Sequence, residues 1–226
     1  MSASSSSNLV DKVVRIKISR GLNDEVTVDP ENFEDYNLFD KSNLPIRFHD
    51  IYKEKKTIIV FLRHPQCFAA KEYMEDLATI PDGVLQQANV QLVAVVPSMP
   101  ELLSVFKEET GFRHALYCDP SANIYRKIGF KCGVVPHDQY PVNNKHVKSS
   151  WMLGVLRSTY RTAVLYRDFN ADMLVNGGCL VLGPGRQLHC SHLDNGMFDQ
   201  MPINSLLERV CGVTMSFPKD RRVLHL

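Results

Sequence analysis

The chain has 226 residues and a formal net charge of +1, so it offers no global field for nucleic acid or an anionic membrane. Hydrophobic residues make up 44% and charged residues 23%, an ordinary balance for a globular protein. The longest apolar runs, Ile58–Leu62 and Cys179–Leu182, are far too short to span a bilayer. The six cysteines (67, 118, 132, 179, 190 and 211) stand far apart with no Cys-x-x-Cys pair. That spacing argues against a disulfide framework and against a zinc site, so reduced thiols are expected.

Residues 1–8 are Ser-rich and are expected to be disordered. They carry neither the basic stretch nor the apolar core of a secretory signal, and a cytoplasmic protein is expected. Val13–Ile18 alternates as a strand does. Residues 20–50, with Pro30, Pro45 and several Asn and Asp, read as a loop holding short extended pieces such as Pro45–Phe48. Thr57–Leu62 is β-branched and continuously apolar, the pattern of a strand buried on both faces. A helix is expected from Cys67 to about Thr79, with Ala70, Met74, Leu77 and Ala78 on the buried face and Lys71, Glu72, Glu75 and Asp76 on the wet one. Pro81 opens a second helix through Ala88, and Gln91–Val96 is another apolar strand. Pro100 opens a helix stopped by Gly111, Ala115–Cys118 is a short strand, and Pro120 opens a helix stopped by Gly129.

Residues 131–148 form a polar loop. Ser150 then leads a helical stretch with Trp151, Met152, Val155, Leu156 and Tyr160 at helix spacing. Its stripe suits a lid over Cys67, a dimer surface or a core-covering helix. Cys179–Leu182 and Gln187–Ser191 form a hairpin around Gly183-Pro-Gly185. That turn lacks the Lys-Ser/Thr of a phosphate loop. His189 and His192 would point to opposite faces of the second strand, which argues against a shared metal. A last helix spans Ile203–Val210. This alternation predicts an α/β layer fold around a central mixed sheet, with the site beyond the carboxyl ends of the strands. The organisation expected is a disordered 1–8, one domain over 9–213 with an inserted helical segment at about 131–176, and a C-terminal tail at 214–226.

Cys67 stands where the first core strand hands over to a helix. Helix N-terminal amides favour negative charge, so a thiol there ionises more readily than at its free value of about 8.5 and becomes a nucleophile. Arg63 is placed to hold the thiolate or a peroxide oxygen, and His64 to tune the thiol or shuttle protons. The plainer alternatives are a buried inert thiol, a surface arginine paired with an acid, and a packed loop histidine. Cys132, beside the long loop, is the candidate resolving thiol; Cys118 and Cys179 read as core. No cofactor or metal is called for.

Five segments in order carry a family resemblance: Phe61-Leu-Arg-His-Pro-Gln-Cys67, Lys71-Glu-Tyr-Met-Glu-Asp-Leu77, Tyr117–Pro120 with Ile124–Gly129, Leu180–Gly185, and Pro202–Ser205. From about residue 40 to 213 the chain resembles the peroxiredoxin-like 2 family, which carries an AhpC/TSA antioxidant domain. The resemblance implies a thioredoxin-like three-layer fold and a thiol oxidoreductase working through Cys67 on a peroxide or disulfide. A separate thiol such as thioredoxin or glutathione would restore it. A homodimer is possible; nucleic acid and membrane partners are not implied. Many members have a second cysteine where this chain has Ala70. True peroxiredoxins have a threonine where it has His64. The alternative is therefore a non-catalytic thioredoxin-fold binding or regulatory module.

Overall fold

The computed structural model describes residues 16–19, 25–133, 144–166 and 175–217. The elements in chain order are β1 (Ile16–Ser19), β2 (Glu25–Val28), β3 (Asn37–Phe39), β4 (Pro45–Arg47), β5 (Lys56–Phe61), α1 (Phe68–Leu77), α2 (Asp82–Gln87), β6 (Val90–Val96), α3 (Glu101–Thr110), β7 (Ala115–Cys118), α4 (Asn123–Ile128), α5 (Trp151–Leu165), β8 (Gly178–Leu182), β9 (Leu188–Leu193) and α6 (Ile203–Cys211). Strands β1 and β2 pair by themselves, and the other strands form one seven-stranded sheet in the order β4-β3-β7-β6-β5-β8-β9.

The apolar β5 runs through the middle of that sheet, parallel to β6 and antiparallel to β8. Its side chains alternate between two layers, as a strand's period of two requires. Ile58, Val60 and Leu62 join Met74, Leu77, Phe106 and Leu206 on one side. Ile59 and Phe61 join Phe48, Ile124, Tyr125 and Ile128 on the other. Helices therefore cover both faces of a mixed sheet, the α/β architecture expected.

Two local readings are corrected, in α4 and in α1. The stretch 20–50 holds short extended pieces, as expected, in β2, β3 and β4, with a 3-10 turn at Pro30–Asn32. Strand β3 pairs antiparallel with β4 over all three of its residues and joins the rest of the sheet through β7, at Phe39 and Cys118. Helix α4 starts at Asn123, not Pro120. Asp119 accepts the Ile124 amide at 2.8 Å and Ala122 adopts φ 50°, so 119–122 form a turn instead of a first helical turn. Glu72 and Asp76, assigned to the wet face of α1, are 2% and 1% exposed. They accept hydrogen bonds from the segment 146–149, which lies over α1.

The hairpin at residues 183–185 is as expected, and its glycine has a reason. Gly183 has φ 84° and its amide donates to Gln187 at 2.9 Å. A Cβ there would lie 2.0 Å from the Tyr52 carbonyl oxygen. The disorder expected for residues 1–8 lies outside the described residues, as do residues 13–15 of the first strand, 134–143 of the polar loop and 218–226 of the tail. Among the described residues no helix is long and apolar enough to cross a membrane.

Candidate functional site around Cys67

Cys67 is the N-cap of α1, with extended backbone angles and no side-chain capping bond. The chain must turn there. Pro65 precedes it, its own amide donates to the His64 carbonyl at 3.1 Å, and its carbonyl accepts Lys71 at 3.0 Å as the helix begins. The thiol therefore stands at the amino end of α1, just beyond the carboxyl end of β5.

The residue is 3% exposed and packs with Phe68, Ala69, Ala70, Val147, Met197 and Phe198. Its burial is not complete enclosure. It lines a cavity of about 470 Å³ that also touches His64, Gln66, Trp151, Val155 and Ser158. No acidic side chain lines that cavity, and it holds no second cysteine among the described residues.

Helix α5 forms the far wall: of its apolar stripe, Trp151 and Val155 line the cavity, while Met152, Leu156 and Tyr160 are exposed. Its small residues Gly154, Ser158 and Thr162 recur every fourth position and so share one face. A Cβ at residue 154 would lie 2.5 Å from the Phe68 ring, so the two helices touch only because residue 154 is glycine. Ser158 Oγ accepts the Phe68 amide at 3.1 Å. Arg161 is buried and donates to the Gln66 carbonyl at 3.1 Å and to the Pro65 carbonyl at 2.8 Å. It also pairs with Glu109 at 2.7 Å, and Tyr166 donates to the same carboxylate at 2.9 Å. The loop bearing Cys67 is thus latched to α5 and α3 by one guanidinium.

At the start of α5, a second set of bonds fixes the incoming chain. Asp76 takes the Lys148 ammonium and the His146 Nδ1–H at 2.8 Å, while His146 Nε2 accepts the Ile203 amide at 3.1 Å. Glu72 accepts the Ser149 amide at 3.0 Å and the Ser149 hydroxyl.

The residues named from sequence separate. His64 lines the Cys67 cavity. Burial, then the charges of Arg63 and Arg161, push its pKa down to about 4. It is neutral at neutral pH. Arg63 lines a neighbouring small pocket with Ala70, Cys179 and Asp194. Burial raises the Asp194 carboxyl to about 6, opposed chiefly by His192 and to a smaller extent by the charge of Arg63. Asp194 lies 3.3 Å from His192. Burial would lower the His192 pKa, but its pairing with the Asp194 carboxylate and its hydrogen bond to the Asp199 carbonyl outweigh it and bring it to about 9. His189 bonds separately to the Gly183 carbonyl at 2.7 Å.

Cys132 is exposed and bridges to Val175, and it lies on none of the cavity's walls. Cys118 and Cys179 are core thiols, and burial raises the Cys118 pKa to about 12 and that of Cys179 well above its usual value. Gln66, Ser158, Arg161 and Glu109 were not singled out from sequence. The four-residue spacing of Gly154, Ser158 and Thr162 was the readable signal for the close face of α5.

Comparison with known proteins adds the family. Residues 80–196, which begin after Cys67, match the AhpC/TSA antioxidant enzyme family. Peroxiredoxin-like 2C of Bos taurus is 38% identical over 193 residues, covering 84% of this chain and 82% of that protein. Prostamide/prostaglandin F synthase of Sus scrofa is 25% identical over 172 residues, covering 74% and 79%. Among solved structures, a variant of peroxiredoxin 6 from Arenicola marina superposes with a TM-score of 0.51 at 14% identity, covering 80% of this chain and 71% of that one. This last likeness bears on the fold alone, which is that of the peroxiredoxins. With a thiol at the head of the first helix, this fold and these relatives, the chain belongs to the peroxiredoxin-like 2 family of AhpC/TSA proteins.

Proposed function

We propose that the protein is a thiol oxidoreductase in which Cys67 attacks a peroxide, or a disulfide, and a separate thiol restores it. The observation that carries this reading is a cysteine at a helix N-cap on the wall of a cavity with no acidic lining. Helix-start amides and nearby guanidinium groups favour an anion, and the charges of Arg63 and Arg161 both reach His64 in the same cavity. With peroxide, the thiolate forms an S–O bond as the O–O bond breaks. The sulfur becomes a sulfenic acid, oxidised by two electrons, and the peroxide is reduced to an alcohol or water. A first external thiol condenses with it to a mixed disulfide and water, and a second releases the disulfide and free Cys67. Glutathione or thioredoxin fits that role, because the cavity walls hold no partner for Cys67 among the described residues. Neutral His64 is available there to relay protons, and Arg63 contributes charge from the adjoining pocket.

The test is dimedone trapping and peroxide consumption by wild type and Cys67→Ser. Labelling of wild type alone supports the reading; equal labelling of the two proteins removes it. The alternative, a non-catalytic thioredoxin-fold module, is favoured by the 3% exposure of Cys67 and predicts that iodoacetamide leaves the native thiol unmodified.

The outer face of α5 supports a homodimer. Met152, Leu156 and Tyr160 form an i, i+4 stripe at 81%, 67% and 68% exposure, flanked by Trp151, Leu153 and Val164. A stable interface covers on the order of 800 Å² per partner, and this stripe would form its centre. No acidic residue interrupts the helix, and such a stripe complements its own copy across a two-fold axis. Sedimentation velocity tests this: wild type should sediment as a dimer and Leu156→Glu as a monomer, and a wild-type monomer at micromolar concentration removes the interface.

A further inference from the structure

Three hydroxyls of α5, those of Ser158, Thr159 and Thr162, line the Cys67 cavity, and they are not equivalent. Thr159 donates to the Val155 carbonyl at 3.0 Å and Thr162 to the Ser158 carbonyl at 2.9 Å. Both protons are committed to the helix's own backbone, a common arrangement for threonine within a helix. Ser158 is different. Its Oγ accepts the Phe68 amide at 3.1 Å, and among the described residues its own proton has no acceptor.

Phe68 is the first residue of α1, and its amide is one of the donors a helix start leaves without an intrahelical partner. The Ser158 oxygen is therefore within one peptide unit of Cys67. Its position is fixed from both sides, because Gly154 lets α5 press on the Phe68 ring and Arg161 ties α5 to the carbonyls of Pro65 and Gln66. A hydroxyl that accepts from an amide also becomes a better donor, since chained hydrogen bonds polarise one another.

We propose that Ser158 is a catalytic residue of the peroxide step, donating its hydrogen bond to the oxygen that departs. This rests on the reading of Cys67 as the nucleophile. The Cys67 thiolate attacks the terminal oxygen of a hydroperoxide, the S–O bond forms, and the O–O bond breaks with its electron pair leaving on the other oxygen. That alkoxide or hydroxide is stabilised by the Ser158 O–H as charge develops, and then takes a proton from water. This replaces the proton released when the thiol ionised. Ser158 ends the step unchanged. A fixed donor aimed at developing charge is worth more than the same bond to a neutral ground state.

The experiment compares full-length wild type with Ser158→Ala and Ser158→Thr, using hydrogen peroxide and tert-butyl hydroperoxide, with sulfenic acid on Cys67 trapped by dimedone. Iodoacetamide alkylation of the same thiol serves as a second readout, because it transfers carbon and needs no donor to a departing oxygen. Loss of the donor should slow both peroxides by about 100- to 1000-fold while alkylation changes little, and Ser158→Thr, whose proton can turn to the helix's own backbone, should recover only part of the peroxide rate. Ser158→Ala reacting with peroxide like wild type overturns the proposal, as does an equal loss with peroxide and iodoacetamide, which would mark a structural role. Failure of the wild type itself to form sulfenic acid would remove the underlying reading of Cys67, and the proposal with it.

Discussion

Arg161 donates to the carbonyl of Gln66 at 3.1 Å, so the residue before the thiol is held by a helix distant in sequence. The same guanidinium also reaches Pro65 and Glu109. Replacing it removes these bonds together and leaves Glu109 without its cation. Breaking a buried charged pair in this way costs about 3 kcal/mol. Arg161→Ala should therefore lower the urea midpoint strongly and speed iodoacetamide capture of Cys67, because the lid is no longer tied to its loop. A midpoint like wild type would show that the latch carries no stability.

Gly154 gives a prediction opposite in sign to helix propensity. In an open helix, Gly→Ala stabilises by about 1 kcal/mol. Here the added Cβ meets the Phe68 ring at 2.5 Å, and that ring is buried against Phe198. Overpacking costs about 1–3 kcal/mol, so Gly154→Ala should be net destabilising in thermal unfolding. A raised melting temperature would mean that α5 does not press on α1.

Acid should weaken the fold through His64. Burial and the charges of Arg63 and Arg161 hold its folded pKa at about 4, below its ordinary value of 6.5. Between those values the unfolded chain binds a proton that the folded chain refuses, so stability falls as pH drops through the window and is unaffected above it. The loss should reach on the order of 3 kcal/mol near pH 4. Urea unfolding at pH 7 and pH 4.5 should show a smaller drop for His64→Gln than for wild type; equal drops would place the acid sensitivity elsewhere.

Glu72 holds the entry to α5 by accepting the Ser149 amide and hydroxyl. Glu72→Ala leaves those donors without their acceptor in a largely dry contact, at a cost of about 2–3 kcal/mol. Hydrogen exchange at residues 146–150 should accelerate ahead of the sheet. Unchanged exchange there would mean that the segment is held without this carboxylate.

Apolar periodicity and breaker residues were enough to read β5, α1, β6, α3, β7, the β8–β9 hairpin and α6 within a few residues, because these features act within one or two turns of chain. The same reasoning placed Cys67 at a strand–helix junction. It could not find the pairing of β3 with β7, which joins Phe39 to Cys118 across 79 positions, nor the burial of Glu72 and Asp76, which look wet on any helical wheel.

What the sequence alone determined was the layer architecture and which thiol stands at the head of a helix, since both follow from nearest neighbours along the chain. The surroundings of that thiol were decided only by folding. Contacts between Phe68 and Ser158 and between Gln66 and Arg161 join residues 90 and 95 positions apart. Such pairs form only where side chains from separate elements fill the same volume, and a one-dimensional pattern does not specify that volume.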